Sequence, residues 1–474
     1  MSRAAGLVVP IFNSDEAYLA TTAEVLRGGG HLYLDVADRK PPLVPWLYRA
    51  LFELAGGPSL LVVHLAAGLA LVATAAVMAA FARRFLEPRQ PGATTATLLL
   101  FLVAQVAGPP AETLAANFEI FMLPLYAGAL YCVRLERAFA DLLAGACLAG
   151  AILAKQPAAV GAVALATAVL SRPDWRGRLV GSLVGLLGGA LVLALAARAI
   201  GQDAASDAWF WMFSGQAGYL GGAALVTVAG RLAAGTLGFL LPNVVMAAGL
   251  VRARRDDCDP ATRRLLWIFL LASAVGVSAG LRFFGHYFLQ LVPAACLLAA
   301  PATARWLAGP KRPLFVAALA APALAAAIIG FWGPEVTGMP RYRGLAEAVR
   351  GRTHPGDRVL VWGHFPELLW AARRQPATRL IHTGFLTGAS GGRAPGPGTT
   401  AYASPEAWQM FWSDLDRHRP ALVVDTAPAR LRDYEHYPIS LFPRLDGWLR
   451  AHYEPAATVD GYVLYVPANR PGSH

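Results

Sequence analysis

Ionisable side chains are concentrated near the start of this apolar chain, where their types and spacing suit proton transfer and phosphate binding. Asp15 and Glu16 form an adjacent pair, and the run Asp-Arg-Lys-Pro-Pro occupies residues 38–42. A carboxylate can take a proton from a hydroxyl, and Lys40, held beside two prolines, could pair with a phosphate. In the simpler interpretation, Ser14 caps a helix whose dipole favours both carboxylates, and Lys40 anchors the chain at a membrane surface.

A second group of polar side chains stands at the ends of later apolar segments. Its members are Glu119, Lys155, Gln156, Arg282, His286, Tyr287 and Gln290. Segment ends are the cheapest place for charges near a membrane, so Arg282 and His286 are candidates for a site or for interface anchors. Glu119 is either a helix-start carboxylate or, with His286, a ligand of a divalent metal ion. Lys155 stands in a short turn that supports a structural and a functional role equally, and His64, inside an apolar segment, is interpreted as a packing group.

The elements that must position these side chains are membrane helices. The chain has 474 residues, of which 56% are hydrophobic and 15% charged, whereas a soluble domain carries about 25% charged residues. Charges are sparse between residues 59 and 332 and return afterwards. Ten apolar segments follow one another there, many of them long enough to cross a bilayer: 59–81, 94–110, 118–133, 139–154, 157–170, 179–200, 232–251, 265–281, 286–300 and 313–332.

Basic residues predict the orientation of these segments. They follow alternate segments, in the stretches 83–89, 134–137, 172–178, 252–264 and 305–312. The positive-inside rule assigns those connections to the cytoplasmic side. The opening loop, the turn at Lys155, the stretch before His286 and everything after Phe331 then share the outer side. An outward-facing first loop requires a preceding span, for which residues 1–12 are too short, so we expect a stub or a start too far downstream.

The pattern predicts three parts: a truncated first span with the first outer loop (1–58), a transmembrane domain (59–332) and a soluble outer domain (333–474). In the last part, helices are expected over 341–352, 366–374 and 404–418. The strands expected between them are Asp357–Gly363, Arg379–Phe385, Pro420–Pro428 and Gly461–Pro467. Alternating strands and helices are typical of a small α/β domain. A Gly-rich stretch, 387–400, is expected to be a flexible loop.

Composition also excludes some functions. The net charge is +11, but the basic residues lie in short clusters between apolar segments and not along one face, so nucleic acid is not an expected partner. The four cysteines form no metal-binding pair, and none follows Cys296, so the soluble domain has no internal disulfide. The aromatic run in the outer loop 201–231 is interpreted as an interfacial belt or as a gate for a substrate.

The opening stretch "DEAYLATTAEVLRGG" and the later "LYLDVADRKPPL" resemble the first extracytoplasmic loop of GT-C glycosyltransferases. The likeness is to the bacterial dolichyl-phosphate-mannose protein mannosyltransferase-like and aminoarabinose-transferase-like group. It continues in "NFEIFMLPLYAGAL", "GAILAKQPA" and "RFFGHYFLQLVPAACLLAA". The resemblance implies a mainly α, polytopic membrane bundle of about 10–11 spans with a C-terminal extracytoplasmic α/β domain, in the bacterial cytoplasmic membrane.

The resemblance also implies the roles of individual residues. Asp15 takes the role of the catalytic base, and Glu16, its neighbour, is the second expected catalytic residue. The donor phosphate is expected against Arg39, Lys40, Arg282, His286 and Tyr287, with Glu119, Lys155, Gln156 and Gln290 as further candidates. The implied partners are a polyprenyl-phosphate-linked sugar donor, a lipid, glycan or protein acceptor, and membrane lipids. No cofactor is certain; a divalent metal ion is an open alternative.

The chemistry expected of such a site is a single displacement that inverts the anomeric carbon. A carboxylate deprotonates the acceptor, cations stabilise the departing phosphate, and apolar helices hold the polyprenyl chain. Two other classes are weighed against it. A transporter or flippase of lipid-linked sugars usually has internal repeats and charges near the midplane, which the sequence lacks. A noncatalytic membrane scaffold leaves Asp15, Glu16 and Lys40 unexplained.

Overall fold

The protein is mainly α-helical in its computed structural model, which describes residues 4–135, 137–199, 205–216, 224–332, 339–389, 400–401 and 403–468. The helices up to residue 332 are α1 (Ser14–Arg27), α2 (Leu43–Leu54), α3 (Leu60–Phe85), α4 (Ala93–Ala104), α5 (Phe118–Arg134), α6 (Ala138–Ala154), α7 (Gly161–Leu170), α8 (Trp175–Ala199), α9 (Ala205–Met212), α10 (Leu225–Leu240), α11 (Val244–Val251), α12 (Pro260–Ser278), α13 (Val292–Ala308) and α14 (Arg312–Phe331). Single turns are Ala4–Leu7, Pro110–Thr113, Gln156–Val160, Ser214–Gln216 and Gly285–Leu291.

Each of the ten apolar segments predicted from the sequence lies on one or more of these helices. Within the described residues, five helices are long and apolar enough to cross a membrane: Leu60–Phe85, Trp175–Arg198, Pro260–Ser278, Gly285–Ala308 and Arg312–Phe331. Taken together, α10 and α11 are also long and apolar enough to cross a membrane, but the two helices are bent by 96° relative to each other. Shorter apolar helices, such as α4, complete the bundle.

Apolar side chains also cover the outer faces of the bundle. Leu69 on α3 is 71% exposed, and Leu187 and Val192 on α8 are 67% and 65% exposed. Such contiguous apolar surface is costly in water and is solvated by lipid tails. Together with the helix lengths, it identifies the chain as a multi-pass membrane protein.

Helix breaks bring polar side chains to one end of the bundle. Helix α6 ends at Lys155, whose backbone is extended (φ −158°, ψ 123°), before the turn Gln156–Val160. A second break follows α12, where Gly280, Leu281 and Phe283 all have positive φ. Left-handed backbone costs a non-glycine residue roughly 1–2 kcal/mol. The chain accepts this strain twice immediately before the turn that carries His286.

The C-terminal part forms a small α/β unit, as expected. Its strands are β1 (Arg358–Trp362), β2 (Gln375–Pro376), β3 (Leu422–Asp425), β4 (Tyr453–Val459) and β5 (Tyr462–Pro467). Strand order is β2-β1-β3-β5-β4, with β1 parallel to β2 and β3, and β5 antiparallel to β3 and β4. The surrounding helices and turns are α15 (Arg343–Arg350), α16 (Pro366–Ala372), Gly384–Thr387, α17 (Pro405–Arg417), Leu431–His436, Ile439–Leu441 and α18 (Pro443–His452).

One predicted strand is wrong, and helix α18 and strands β2 and β4 were not predicted. The run 379–385 is apolar but crosses the carboxyl end of β1 instead of joining the sheet, because Thr383 N–H donates to Gly363 O (3.1 Å) and Gly363 N–H donates to Thr383 Oγ1 (3.0 Å). Gly363 allows this crossing with φ 150°, since a Cβ there would lie 2.0 Å from Thr426 Oγ1. Helix α18 and strand β4 had no clear periodicity. The Gly-rich stretch falls largely outside the described residues.

The opening loop differs from expectation in its caps. Asn13, not Ser14, caps α1, because Asn13 Oδ1 accepts from Glu16 N–H at 3.1 Å. Pro42 has helical backbone angles and immediately precedes α2, so the two prolines lead directly into a helix.

The C-terminal unit docks on the opening loop and the neighbouring helices. Ala37 N–H donates to Arg379 O (2.8 Å), and the rings of Phe52 and Trp370 stack with centroids 5.6 Å apart. These contacts close the polar end of the bundle. The division at residues 58 and 332 stays a prediction.

Candidate active site

A cavity of about 560 Å³ lies where the opening loop, the helix breaks and the C-terminal unit meet. Eight of the side chains singled out from the sequence line it: Asp15, Arg39, Lys40, Lys155, Gln156, His286, Tyr287 and Gln290. The structure therefore brings together groups that are separated by up to some 270 positions in the chain.

Asp15 stands in the first turn of α1 and faces the cavity, to which its side chain is 31% exposed. Its Oδ2 lies 3.5 Å from Lys40 Nζ and 3.7 Å from His286 Nε2. Burial by itself would raise the pKa of Asp15, but the charges of Lys40, His286 and Lys155 lower it, to about 2. Asp15 is consequently ionised at neutral pH.

Lys40 is held in place through its backbone and its side chain. Its carbonyl accepts from Tyr33 Oη–H (2.8 Å), and its N–H donates to Asp38 Oδ1 (3.0 Å). The Nζ atom lies 4.2 Å from the centre of the Phe118 ring. The cation is thus fixed next to Asp15, with an aromatic face behind it.

Arg39 is tied to two other parts of the chain. Its carbonyl accepts from Gln156 Nε2–H at 2.6 Å. Its guanidinium lies over the Phe385 ring of the C-terminal unit, 4.5 Å from the ring centre. Arg39 therefore stands between the helix break at Lys155 and the docked domain.

Lys155 forms a buried ion pair with Glu119, and only a few percent of either side chain is exposed. Lys155 Nζ also lies 3.8 Å from the centre of the Tyr287 ring. Glu119 itself does not line the cavity. Its nearest cavity neighbour besides Lys155 is His286, with Glu119 Oε1 at 4.0 Å from Nε2.

Glu112 was not singled out from the sequence, yet it determines the position of His286. Its Oε2 accepts from His286 N–H (2.8 Å) and lies 2.5 Å from His286 Nδ1. Burial opposes ionisation of Glu112, but His286 lowers the pKa of that carboxyl below its usual value. Gly285 permits the contact, because a Cβ there would lie 2.9 Å from Glu112 Cγ. An acidic residue between two prolines and an apolar span, "GPPAET", was the available signal.

Glu16 and Arg282 do not line the cavity, although both were expected at the site. Glu16 is fully buried. Its Oε1 atom accepts from Ala116 N–H (2.6 Å) and lies 2.8 Å from His64 Nε2. Its Oε2 atom accepts from Phe12 N–H (2.7 Å). Glu16 thus holds the start of α1 against the bundle, and His64 is a bonded packing group as predicted. Arg282 is buried in the strained segment before His286.

Gln290 lines the cavity and fixes the neighbouring turn. Its Nε2–H donates to Pro157 O (3.1 Å). The adjacent Gly276 has no room for a side chain, because a Cβ would lie 2.7 Å from that nitrogen.

The C-terminal unit adds His364, His382, Phe385 and Arg432 to the cavity wall. No sequence signal marked these residues beyond the position of His364 after a predicted strand.

The described residues contain no group of three or more His, Cys, Asp and Glu side chains that could hold a metal ion. Glu119, the metal ligand considered with His286, is paired with the Lys155 ammonium instead. The cavity combines the ionised carboxylate of Asp15, and the carboxyl groups of Asp38 and Glu112, with several cations. Such a site can bind an anion and accept a proton beside it.

Comparisons with known proteins agree with this architecture. A family model described as dolichyl-phosphate-mannose-protein mannosyltransferase matches residues 39–200. Crystal structures of ArnT from Cupriavidus metallidurans, bound to undecaprenyl phosphate and in the apo state, are similar with TM-scores of 0.60 and 0.61 at 16% and 15% identity. Both matches cover 98% of this chain and 95% of that chain.

An archaeal oligosaccharyltransferase, AglB from Archaeoglobus fulgidus, solved with an inhibitory peptide and a dolichol-phosphate, has a TM-score of 0.51 at 12% identity. That match covers 96% of this chain and 70% of that chain. No curated protein sequence matches the chain. The resemblance to the GT-C group of membrane glycosyltransferases, expected from the sequence, is confirmed, and the shared fold extends over nearly the whole chain.

Proposed function

We propose that this protein is a membrane glycosyltransferase that moves a sugar from a polyprenyl-phosphate donor to an acceptor at the outer face of the bacterial cytoplasmic membrane. The observation that carries the proposal is the contact between Asp15 and Lys40 inside a cavity at the polar end of the bundle, 3.5 Å apart. Support also comes from ArnT, which has been crystallised with undecaprenyl phosphate, and from AglB, solved with a dolichol-phosphate.

The donor phosphate binds among the cations of the cavity. Lys40 and Arg39 approach from the opening loop, and Lys155 and His286 approach from the helix breaks. Preorganised cations stabilise the charge that develops on the leaving phosphate more than they stabilise the ground state. The Tyr287 ring, 3.8 Å from Lys155 Nζ, keeps that ammonium in place. The polyprenyl chain lies along the apolar faces of the bundle.

Asp15 acts as the general base. The acceptor hydroxyl attacks the anomeric carbon, its proton passes to Asp15, and the bond from that carbon to the phosphate oxygen breaks with its electron pair on the phosphate. The transfer is one displacement and inverts the anomeric carbon. A pKa of about 2 makes Asp15 a weak base in the empty cavity. A bound phosphate shares Lys40 and so reduces the stabilisation of the Asp15 carboxylate. Donor binding thereby raises the basicity of Asp15.

Lipid, glycan and protein acceptors all fit this chemistry. The C-terminal unit, which covers the cavity, lies on the outer side under the predicted orientation. Membrane lipids surround the bundle.

Transfer from radiolabelled undecaprenyl-phosphate sugars tests the proposal. Membranes containing the wild type are compared with Asp15→Asn, Lys40→Ala and the matched control Glu24→Gln, which lies on the same helix and pairs with Arg27. We expect Asp15→Asn to lower transfer by about 10²-fold or more at an equal amount of inserted protein. Lys40→Ala should lose transfer as well, and Glu24→Gln should retain it. Equal transfer by Asp15→Asn and the wild type would remove Asp15 from the mechanism.

A further inference from the structure

Within the part of the chain that the structure describes, two buried polar atoms in the cavity wall have no hydrogen-bond partner. They are Asp38 Oδ2 and His364 Nδ1, and both side chains are more than nine-tenths buried. A buried polar atom without a partner costs roughly 1–3 kcal/mol. A ligand that bonds these atoms recovers that cost, so each atom points to a ligand group and not to a structural role.

The wall that carries these atoms differs chemically from the rest of the cavity. His364 and His382 come from the C-terminal unit and stack on each other, with ring centres 4.5 Å apart. Burial lowers the pKa of His364 well below its usual value and that of His382 to about 3, and nearby Arg39 and Arg432 act in the same direction. Both imidazoles are therefore neutral, and a neutral imidazole presents one N–H donor and one acceptor.

The hydrogen bonds of this wall fix its geometry. Gly384 N–H donates to His382 Nδ1 (3.2 Å), so the proton of that ring is on Nε2. Arg432 Nη1–H donates to His364 O (2.7 Å) and forms a two-pronged ion pair with the fully buried Glu367 (2.7 and 3.1 Å). Arg432 holds φ at 51°, a strained value for arginine. The ion pair maintains this strain and positions His364.

We propose that Asp38, His364 and His382 form a binding wall for the hydroxyl groups of a sugar unit, next to the cations that take the phosphate. A hydroxyl group can donate a hydrogen bond to the Asp38 carboxylate and can donate to or accept from either neutral imidazole. The phosphate of the donor has only acceptor oxygens, so it cannot form a hydrogen bond with the Asp38 carboxylate. The inference rests on the proposed function and adds to it the residues that bind the sugar. The sugar belongs either to the donor or to a glycan acceptor.

The histidines do not serve as the general base. A base is most effective when its pKa lies near the working pH, and both pKa values are far below neutrality. Their part is to orient and select the sugar. The C-terminal unit is then a component of the active site and not only a lid over it.

Binding measured without turnover separates this inference from the proposed function. Full-length protein in detergent is titrated with undecaprenyl phosphate and with undecaprenyl-phosphate mannose, glucose and 4-amino-4-deoxyarabinose. The variants are Asp38→Asn and His364→Ala, with Asp35→Asn and His354→Ala, both exposed, as matched controls. His364→Gln, which keeps a hydrogen-bonding group, serves as the conservative variant.

If the donor sugar binds this wall, Asp38→Asn and His364→Ala should lower the affinity for the best-bound sugar carrier about 10-fold. Their affinity for undecaprenyl phosphate should not change, and His364→Gln should recover part of the lost affinity. If an acceptor glycan binds this wall instead, the variants should bind every carrier with unchanged affinity. Their KM for a glycan acceptor, or their dissociation constant for methyl glycosides, should rise by about the same factor. Wild-type affinities in both variants for carriers and glycosides alike would overturn the proposal. If the wild type binds sugar carriers but transfers none, the proposed function fails while this inference stands.

Discussion

At the scale of single residues, Asp15 and Glu16 illustrate how neighbours in sequence acquire different roles. Consecutive helical residues point about 100° apart, so one carboxylate faces the cavity while the other enters the protein. Asp15 meets Lys40 and His286. Glu16 meets His64 and two backbone N–H groups. The sequence predicted a pair of catalytic carboxylates; Asp15 lines the cavity and Glu16 does not, and the catalytic role of Asp15 stays a prediction.

Replacement of Glu16 by Ala should destabilise the protein. The change leaves His64 and the N–H groups of Phe12 and Ala116 buried without their partner, and each such buried polar group costs roughly 1–3 kcal/mol. We expect the unfolding temperature in detergent, followed by tryptophan fluorescence, to fall by several degrees. Asp15→Asn, whose side chain faces the cavity, is the control and should unfold close to the wild type. An unchanged unfolding temperature for Glu16→Ala would contradict the structural role.

Asp38 predicts a pH dependence of sugar binding. Burial raises its pKa to about 6; Lys40 and Arg39 oppose this rise, and Asp15 adds to it. The carboxylate is therefore ionised above that pH and protonated below it, and an ionised acceptor forms the stronger hydrogen bond. The other groups facing it, Tyr18 and Tyr33, have raised pKa values and stay neutral.

We expect the affinity for undecaprenyl-phosphate mannose, whose phosphodiester does not titrate in this range, to decline as the solution is taken from about pH 7.5 to about pH 5. Asp38→Asn should abolish this decline, because an amide does not titrate. The same decline in wild type and Asp38→Asn would assign it to another group.

At the scale of elements, the site depends on places where helices stop. The break at Lys155 and the strained segment before Gly285 direct polar side chains into the cavity. A continuous helix would leave these side chains on its own surface. Unsatisfied backbone groups at such breaks are tolerated inside a membrane protein only when buried partners bond them. Gln290 Nε2–H donates to the Pro157 carbonyl at the break, and Gln156 Nε2–H donates to the Arg39 carbonyl of the opening loop. The breaks are therefore held by the same polar residues that line the cavity.

Gly285→Ala tests the second break. A Cβ at residue 285 would meet Glu112 Cγ at 2.9 Å and displace either Glu112 or the turn that carries His286. We expect transfer to fall about 10-fold or more, because a misplacement of about 1 Å is costly at an active site. Gly68→Ala on α3, where nothing lies within 4 Å, is the matched control and should retain activity. Full activity of Gly285→Ala would show that the contact between Glu112 and His286 is dispensable.

At the scale of the whole molecule, three distant parts of the chain close one cavity. The opening loop bonds the C-terminal unit through Ala37 and Arg379, and Trp211 on α9 donates to Tyr33 O at 2.9 Å. Trp211 also packs edge-on against Phe385, with ring centres 4.8 Å apart. Of the aromatic run assigned to a belt or a gate, Met212 and Phe213 line the cavity. The arrangement requires the opening loop and the C-terminal unit to share one side of the membrane.

Cysteine labelling tests the side on which they lie. In a variant with the four native cysteines replaced by serine, Ser440→Cys in the C-terminal unit and Ser171→Cys in a basic connection are both exposed. A membrane-impermeant maleimide added to intact cells should label Ser440→Cys and spare Ser171→Cys, because the positive-inside rule predicts that the basic connections face the cytoplasm. Opening the cells should make both react. The reverse pattern would place the cavity on the cytoplasmic side.

The sequence by itself determined the helices, the α/β character of the C-terminal unit and much of the cavity wall. Apolar segments reveal spans because lipid imposes length and composition locally, and Asp15, Lys40, Lys155 and His286 stood out because charges are rare in such a chain. Only the tertiary structure decided that Glu112 holds His286, that Glu16 turns away, and that Asp38, His364 and His382 line one cavity. Those contacts join residues far apart in the chain, and pairing at that distance depends on how the helices and the sheet pack, which local patterns do not encode.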